Sequence, residues 1–309
     1  MSAKNLTSAV SVVLVNYGNT HDTLKCVDSL LNTGYLISKI IVIDNSDSVD
    51  AALEPALHQR RGVQYICPGR NLGFAGGCNR GAQEALKDGP GYVLLLNNDT
   101  IVKDDFLKRL LEGADTSKAD LATGKIYYLD KPKTIWGAGG RIDWKKGMGI
   151  FYGTNEEDPG RYNEPREISF ISGCLMLVKA DVFQKIGFLD EKYFMYCEDV
   201  DYCLRASKAG LKLWYAPEAV IWHKVGATVS SKTPFLFYYF IRNSLFIVKR
   251  HAGWTRGLLY AVYAPFYYLY KLVLVFLRDV RFVPAYFFGF FDGILGNGGP
   301  KDYGFLKKR

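Results

Sequence analysis

Three short stretches combine residue types and spacings that could do chemistry. FMYCEDVDYCLR (194–205) sets Glu198, Asp199 and Asp201 within four positions at the start of a helical pattern. The N–H dipoles of a helix N-terminus favour negative charge, so a carboxylate there stays ionised and could act as general base toward a hydroxyl. Capping plus an Asp201–Arg205 pair at i, i+4, worth roughly 0.2–0.5 kcal/mol, would use the same residues, although three acids exceed what a cap requires. LLLNNDT (94–100) ends an apolar run in Asn97, Asn98 and Asp99. One carboxylate among amides suits a divalent cation shared with diphosphate oxygens, and the triplet is equally good turn and N-cap chemistry. NLGFAGGCNRG (71–81) leads toward a helix start, where an anion or nucleotide could sit. It fits neither GxGxxG nor a P-loop, and tight helix–strand packing would explain its glycines as well. His223 closes the apolar run AVIWH and concerns a cation only if it lies beside Asp99.

The elements that must position these residues are legible as alternating runs. AVSVVLVNY (9–17), KIIVIDNS (39–46), VQYICPG (63–69) and GYVLLLNND (91–99) read as buried strands, with helical patterns from about 21 to 32, over 50–60, and to about Lys87. Near-continuous apolar strands separated by helices predict an α/β fold with a mostly parallel sheet covered on both faces. Such sheets bind ligands at the carboxyl ends of their strands, and all four polar clusters, Asn16-Tyr17, Asp44-Asn45, the Gly-rich loop and Asn97-Asn98-Asp99, fall at that edge. Farther on, the pattern predicts a helix to about Ala114, a β-rich stretch that includes 167–181, a short helix over VFQKIGF, a helix from about Asp199 to Gly210, a strand pair over 211–226 and a helix over 234–250.

Charge divides the chain. Of 309 residues with a net charge of +8, the stretch from Lys224 to Arg309 holds 13 basic and three acidic residues, and 22 of the 45 aromatic residues. A near-neutral catalytic body, 1–230, is therefore expected to precede a basic, aromatic helical region, 231–309. Long apolar runs between the charges argue against nucleic acid. The run 257–277, with Lys271 its one charge, Pro265 at its middle and five tyrosines, predicts an interfacial helix, with Lys249, Arg250, Arg256, Arg278 and Arg281 facing anionic headgroups. The alternative is a soluble helix packed on the body or on a second subunit as a homodimer. The N-terminus has no signal-peptide architecture and the six cysteines no CxxC spacing, which suits reduced thiols in a cytoplasmic protein.

Taken in order, VSVVLVNYGN, IVIDNS, NLGFAGGCNRG, LLLNNDT, SGCLML, FMYCEDVDYCLR and VIWHKVG resemble an inverting glycosyltransferase of family 2 with the GT-A (nucleotide-diphospho-sugar transferase) fold, rhamnosyltransferase-like. The resemblance spans about 8–250. It implies that Val15, Asn16, Tyr17, Asp44, Asn71, Gly73, Phe74, Asn97 and Asn98 hold the nucleotide, with Asp44 accepting from the N3–H of thymine or uracil. It also implies Asp99 and His223 as ligands of Mg2+ or Mn2+, and Glu198-Asp199 as the acidic pair whose Asp is the base. Ser172, Gly173 and Cys174, with Arg205, would shape the donor and acceptor sites. Asn97 departs from the family's first Asp: an amide can ligate but brings no charge. The implied donor is dTDP-L-rhamnose, with UDP-galactofuranose, UDP-GlcNAc or UDP-galactose as alternatives. The implied acceptor is a lipid-linked or cell-surface glycan, reached from the inner face of the cell membrane. A catalytically weak membrane-bound scaffold is the competing reading, against which the intact Glu198-Asp199 and Asp99 argue.

Overall fold

A computed structural model describes residues 9–225, 233–276 and 279–306. The N-terminal residues 1–8, the expected boundary near 230, and Leu277 and Arg278 of the basic apolar region lie outside the described residues. The strands are β1 Val10–Asn16, β2 Ile37–Asp44, β3 Val63–Ile66, β4 Tyr92–Asn97, β5 Thr100–Val102, β6 Leu121–Tyr128, β7 Ile135–Ala138, β8 Gly140–Asp143, β9 Met148–Phe151, β10 Arg166–Glu167, β11 Leu175–Lys179 and β12 Leu213–His223. The helices are α1 Thr20–Leu31, α2 Leu53–His58, α3 Gly73–Leu86, α4 Phe106–Ser117, α5 Ala180–Ile186, α6 Glu198–Lys208, α7 Pro234–His251, α8 Gly253–Phe276 and α9 Phe282–Leu295.

The central sheet runs β10-β12-β6-β11-β4-β1-β2-β3. Its β3-β2-β1-β4 half is parallel, as the apolar runs predict. Successive side chains point to opposite faces, so Val13, Ile41 and Ile43 pack under α3 while Val12, Leu14, Ile40 and Val42 pack under α1, α2 and α4. Register places Asn16 opposite Asp44 and Val15 opposite Asn97, which gathers the strand-end polar residues at one edge. Beyond β4 the sheet changes character. Strand β11 runs antiparallel to both β4 and β6. The turn that precedes it, Ser172-Gly173-Cys174, therefore opens at the edge where β4 ends.

Two expectations differ in detail. The segment 211–226 is not a strand pair: β12 is one strand along β6 whose register shifts between Ala216 and Val220, at Pro217, which has no N–H to give to a ladder. Of 167–181 only Leu175–Lys179 is a long strand: the buried Ile168 and Phe170 make single backbone bonds, to Leu213 O and Gly140 O at 3.1 Å each, and extend no ladder. Helix α9 had no counterpart in the sequence reading.

Helix α7 starts at Pro234, with the Thr233 hydroxyl accepting from Leu236 N at 3.2 Å. It packs against α6, α8 and α9. Helix α8 carries Trp254, Leu258, Val262, Phe266, Tyr270 and Val273, all exposed, along one i, i+4 stripe, and α9 adds Phe287, Phe291 and Leu295. Among the described residues no helix is long and apolar enough to cross a membrane. Of the basic residues expected to face headgroups, Arg250 is instead paired with Asp190 and Asp201, and Arg281 with Asp279.

Candidate active site

At the carboxyl edge the polar side chains form a layered network. Asp44 is fully buried: its Oδ1 accepts from Asn16 Nδ2 at 3.0 Å and Ser46 Oγ at 2.7 Å, and its Oδ2 from Tyr65 OH at 2.6 Å. Asn16 Oδ1 in turn accepts from Thr23 Oγ1 at 3.0 Å and Asn98 Nδ2 at 3.2 Å. Asn98 also donates to Thr23 Oγ1 at 2.7 Å. Asn16 and Asn98 thus come together as expected, as a buried scaffold at the strand ends. The half-exposed Tyr17 ring and the partly buried Val15 flank them. Ser46 belongs to the IVIDNS stretch itself, whereas Thr23 and Tyr65 lie on separate elements, and hydroxyls so placed carry no spacing signal.

The Gly-rich stretch combines two jobs. Gly73 opens α3 with a positive φ of +74°, and a methyl there would lie 2.3 Å from the Phe194 carbonyl oxygen. Gly81 lets α3 settle on β1, where a methyl would stand 2.2 Å from Val13 Cγ1, so tight packing is part of the answer. The N-terminal donors of α3 are already engaged: Gly73 N reaches Asn71 Oδ1 at 2.8 Å, and Phe74 N reaches Phe194 O at 2.8 Å. The helix start is consequently a docking point for the 194–197 loop, not the open anion site anticipated for it.

Asp99 and His223 meet because β5 pairs antiparallel with β12, setting His223 opposite Thr100. Asp99 Oδ1 lies 3.0 Å from His223 Nε2, and Asn97 Nδ2 lies 3.2 Å from the same nitrogen. Which of Asn97 Nδ2 and His223 Nε2 donates depends on the imidazole tautomer, and Asp99 Oδ1 and His223 Nδ1 are both buried without a hydrogen-bond partner. A carboxylate oxygen and an imidazole nitrogen 3.0 Å apart suit neighbouring ligands of a divalent cation once the Asn97 amide no longer donates to Nε2. Turning the Asn97 amide over would free Nε2 and add a third ligand, the second oxygen. No cluster of three or more His, Cys, Asp or Glu occurs among the described residues, so further ligands would come from that amide and from a bound diphosphate.

The acidic pair stands across one turn from this cluster. Asp199 Oδ2 accepts from Gly173 N at 3.1 Å and Oδ1 from Val200 N at 2.8 Å. Cys174 O, in the same turn, accepts from Asn97 N at 2.9 Å. Burial pushes the Asp199 carboxyl up to about 6, against the opposing pull of the Gly173 and Val200 amides. Glu198 is driven well above the ordinary carboxylate range, first by burial and then by Asp199, and its Oε2 has no partner. Both carboxyls of the pair thus hold their protons more tightly than free ones, Glu198 with the added push of the Asp199 charge. Arg205 does not join them. It binds Asp201 Oδ2 at 2.7 Å and the carbonyls of Ile186 and Phe188, which is the capping-pair alternative and not a role at the 172–174 turn.

Residues 11–187 match the family described as glycosyl transferase family 2. The chain belongs to that family. Within it, this glycosyltransferase is rhamnosyltransferase-like. It is 29% identical to the rhamnosyltransferase WbbL of Escherichia coli over 218 residues, covering 67% of this chain and 80% of WbbL. It is 27% identical over 272 residues to the N-acetylglucosaminyl-diphospho-decaprenol L-rhamnosyltransferase of Mycobacterium tuberculosis, covering 82% of this chain and 88% of that one. The GT-A-like fold is shared with GalNAc-T7, crystallised with UDP, GalNAc and Mn2+, at a TM-score of 0.61 and 18% identity over 80% of this chain. This glycosyltransferase spans about half of that protein, 48%.

Proposed function

We propose that this glycosyltransferase moves L-rhamnose from dTDP-L-rhamnose to a hydroxyl of a lipid-linked glycan, with inversion at the anomeric carbon. The observation that carries the reading is the 172–174 turn, which binds Asp199 through Gly173 N and the Asn97–Asp99 corner through Cys174 O. A base and a diphosphate-binding corner on opposite sides of one turn suit in-line displacement. Asp199 removes the acceptor proton, the acceptor oxygen bonds to the anomeric carbon, and the carbon–oxygen bond to the diphosphate breaks on the opposite side. No covalent enzyme intermediate is needed. Asp99, His223 and Asn97 would hold Mg2+ or Mn2+, which when bound offsets charge on the departing diphosphate. The ring N3–H of thymine or uracil would take Asp44 in exchange for the Ser46 hydroxyl, with Tyr17, Asn71, Gly73 and Phe74 around the nucleotide.

The names of the curated relatives support rhamnose and, for the mycobacterial one, a polyprenol-linked acceptor. The test is a panel of dTDP- and UDP-sugars with Mn2+ and a polyprenyl-diphosphate GlcNAc acceptor, scoring released nucleotide. Turnover confined to dTDP-L-rhamnose is expected; turnover confined to a UDP-sugar overturns the donor, and donor binding without any transfer favours the scaffold alternative.

The α8–α9 surface suits contact with a membrane surface. An exposed stripe of Trp, Tyr, Leu and Phe suits the headgroup boundary, and Lys249 and Arg256 remain beside it. Burying one such side chain contributes about 1.5–3 kcal/mol. Val262→Asp with Phe266→Asp should therefore weaken binding to phosphatidylglycerol vesicles about 100-fold, read by co-sedimentation. A wild-type homodimer that ignores vesicles would assign the face to a second subunit instead.

A further inference from the structure

Arg242 heads the fully buried side chains by volume among the described residues, in an otherwise apolar stretch of α7. Its charge is met by carbonyls and ring faces. NH1 donates to Gly299 O at 2.7 Å, NH2 to Tyr193 O at 2.8 Å, and Nε to Asn243 Oδ1 at 2.9 Å, while the guanidinium lies 4.5 Å from the Tyr239 ring centroid. Burying a cation without a carboxylate opposes folding by several kcal/mol, so an apolar residue would serve plain packing better. Asn243, oriented by that Nε bond, points its Nδ2 at three carbonyls: Tyr193 at 3.1 Å, Met195 at 2.9 Å and Tyr196 at 2.7 Å.

Those carbonyls belong to the segment immediately before the base. Phe194, Tyr196 and Cys197 have φ of 63°, 67° and 68°. Bulky residues in the left-handed region each oppose the fold by about 1–2 kcal/mol, and such a path persists only where its surroundings over-determine it. The other side of the segment is held by α3, through Phe74 N on Phe194 O. The carbonyls converge on one amide only while the chain follows this path, and the path ends at the α6 start that carries Asp199.

We propose that Arg242 and Asn243 are positioning residues: from α7 they hold the 193–197 segment in its left-handed course and so set the Asp199 carboxylate against Gly173 N. The inference rests on Asp199 being the base. It also makes the C-terminal region part of the chemistry, since Gly299, which Arg242 binds, follows α9.

The test uses the full chain with Asn243→Asp, which removes both donors at constant size, and the gentler Asn243→Ala and Arg242→Lys. Misplacing a reacting group by about 1 Å lowers turnover about 100-fold. A fall of that order in kcat is expected, with donor KM and dTDP affinity within about threefold of wild type. The acid limb of the kcat–pH profile should also move down as Asp199 is released from burial among Glu198, Cys197, Cys78, Cys174 and Cys203. Amides of 194–200 should exchange hydrogen about tenfold faster. A loss that tracks the folded fraction with the acid limb in place overturns the proposal, as does unchanged kcat. If wild type turns over no donor, the base assignment falls, and hydrogen exchange alone then decides whether the clamp exists: unchanged exchange in every variant that folds removes it.

Discussion

Asp199→Asn should lower sugar transfer about 100- to 10,000-fold, the range for removing a general base, while dTDP binding changes by less than about threefold. The amide keeps the size of the carboxyl and can still accept from Gly173 N, so the turn stays in place and the lost group is the proton acceptor. Transfer rates with saturating donor, beside nucleotide titrations, separate the two effects; near-normal turnover would remove Asp199 from the reaction. The pH dependence follows from burial. With its carboxyl pushed up to about 6, Asp199 is a competent base above that value, and kcat should fall on the acid side of it. The stability consequence has the opposite sense. Since the folded-state value lies above the unfolded value of 3.8, folding binds a proton between them, and stability falls as pH rises from about 4 to about 6. The Asn variant lacks this loss, so its thermal midpoint should exceed that of wild type at pH 7 and not at pH 4. A base that serves the reaction by being buried is a local burden on the fold.

Asp99→Asn should reduce transfer about 100- to 1,000-fold, the scale of removing one preorganised electrostatic contact to a leaving group, and should abolish stimulation by added Mn2+. The reason lies in the neighbouring position. Because residue 97 is Asn, Asp99 is the one carboxylate of the triplet, and its removal leaves His223 and two amides. The converse substitution, Asn97→Asp, adds a charge 3.2 Å from His223, measured at the present amide nitrogen. It should lower the Mn2+ concentration giving half-maximal rate. Activity of wild type that is indifferent to excess chelator would take Asp99 and His223 out of cation binding altogether.

Much of the donor side was legible in the sequence because it is written in strand ends. In a parallel sheet each apolar run terminates at the same edge, so Asn16, Asp44 and Asn97 could be placed together without coordinates. What could not be read was how each is held: Tyr65 bonds Asp44 and Thr23 bonds Asn16, hydroxyls on other elements with no periodic signature. His223 was conditional on lying beside Asp99, and the short antiparallel β5 supplies that condition. The Arg205 assignment failed because an i, i+4 pair looks the same whether or not it reaches a ligand. The role of Arg242 and Asn243 was hidden by distance along the chain. A lone Arg-Asn pair inside FLFYYFIRNSLFIV was nevertheless a signal, since charge in an apolar helix needs a partner.

One reversed strand has a consequence for how this enzyme could change its chemistry. Neighbours of β11 in the parallel half offer the site their endings, whereas β11 offers its beginning. The excursion from β6 to β11 is itself tied to the sheet, through β7 on β6 and β10 on β12, and to the core through Ile135, Ala138, Ile168, Phe170 and Ile171, so changes of length fall in the stretches between those anchors. Changes there leave the strand endings that carry Asn16, Asp44 and Asn97 where they are, whereas a change at Trp136, whose ring lies 4.8 Å from that of His223, reaches the Asp99 corner.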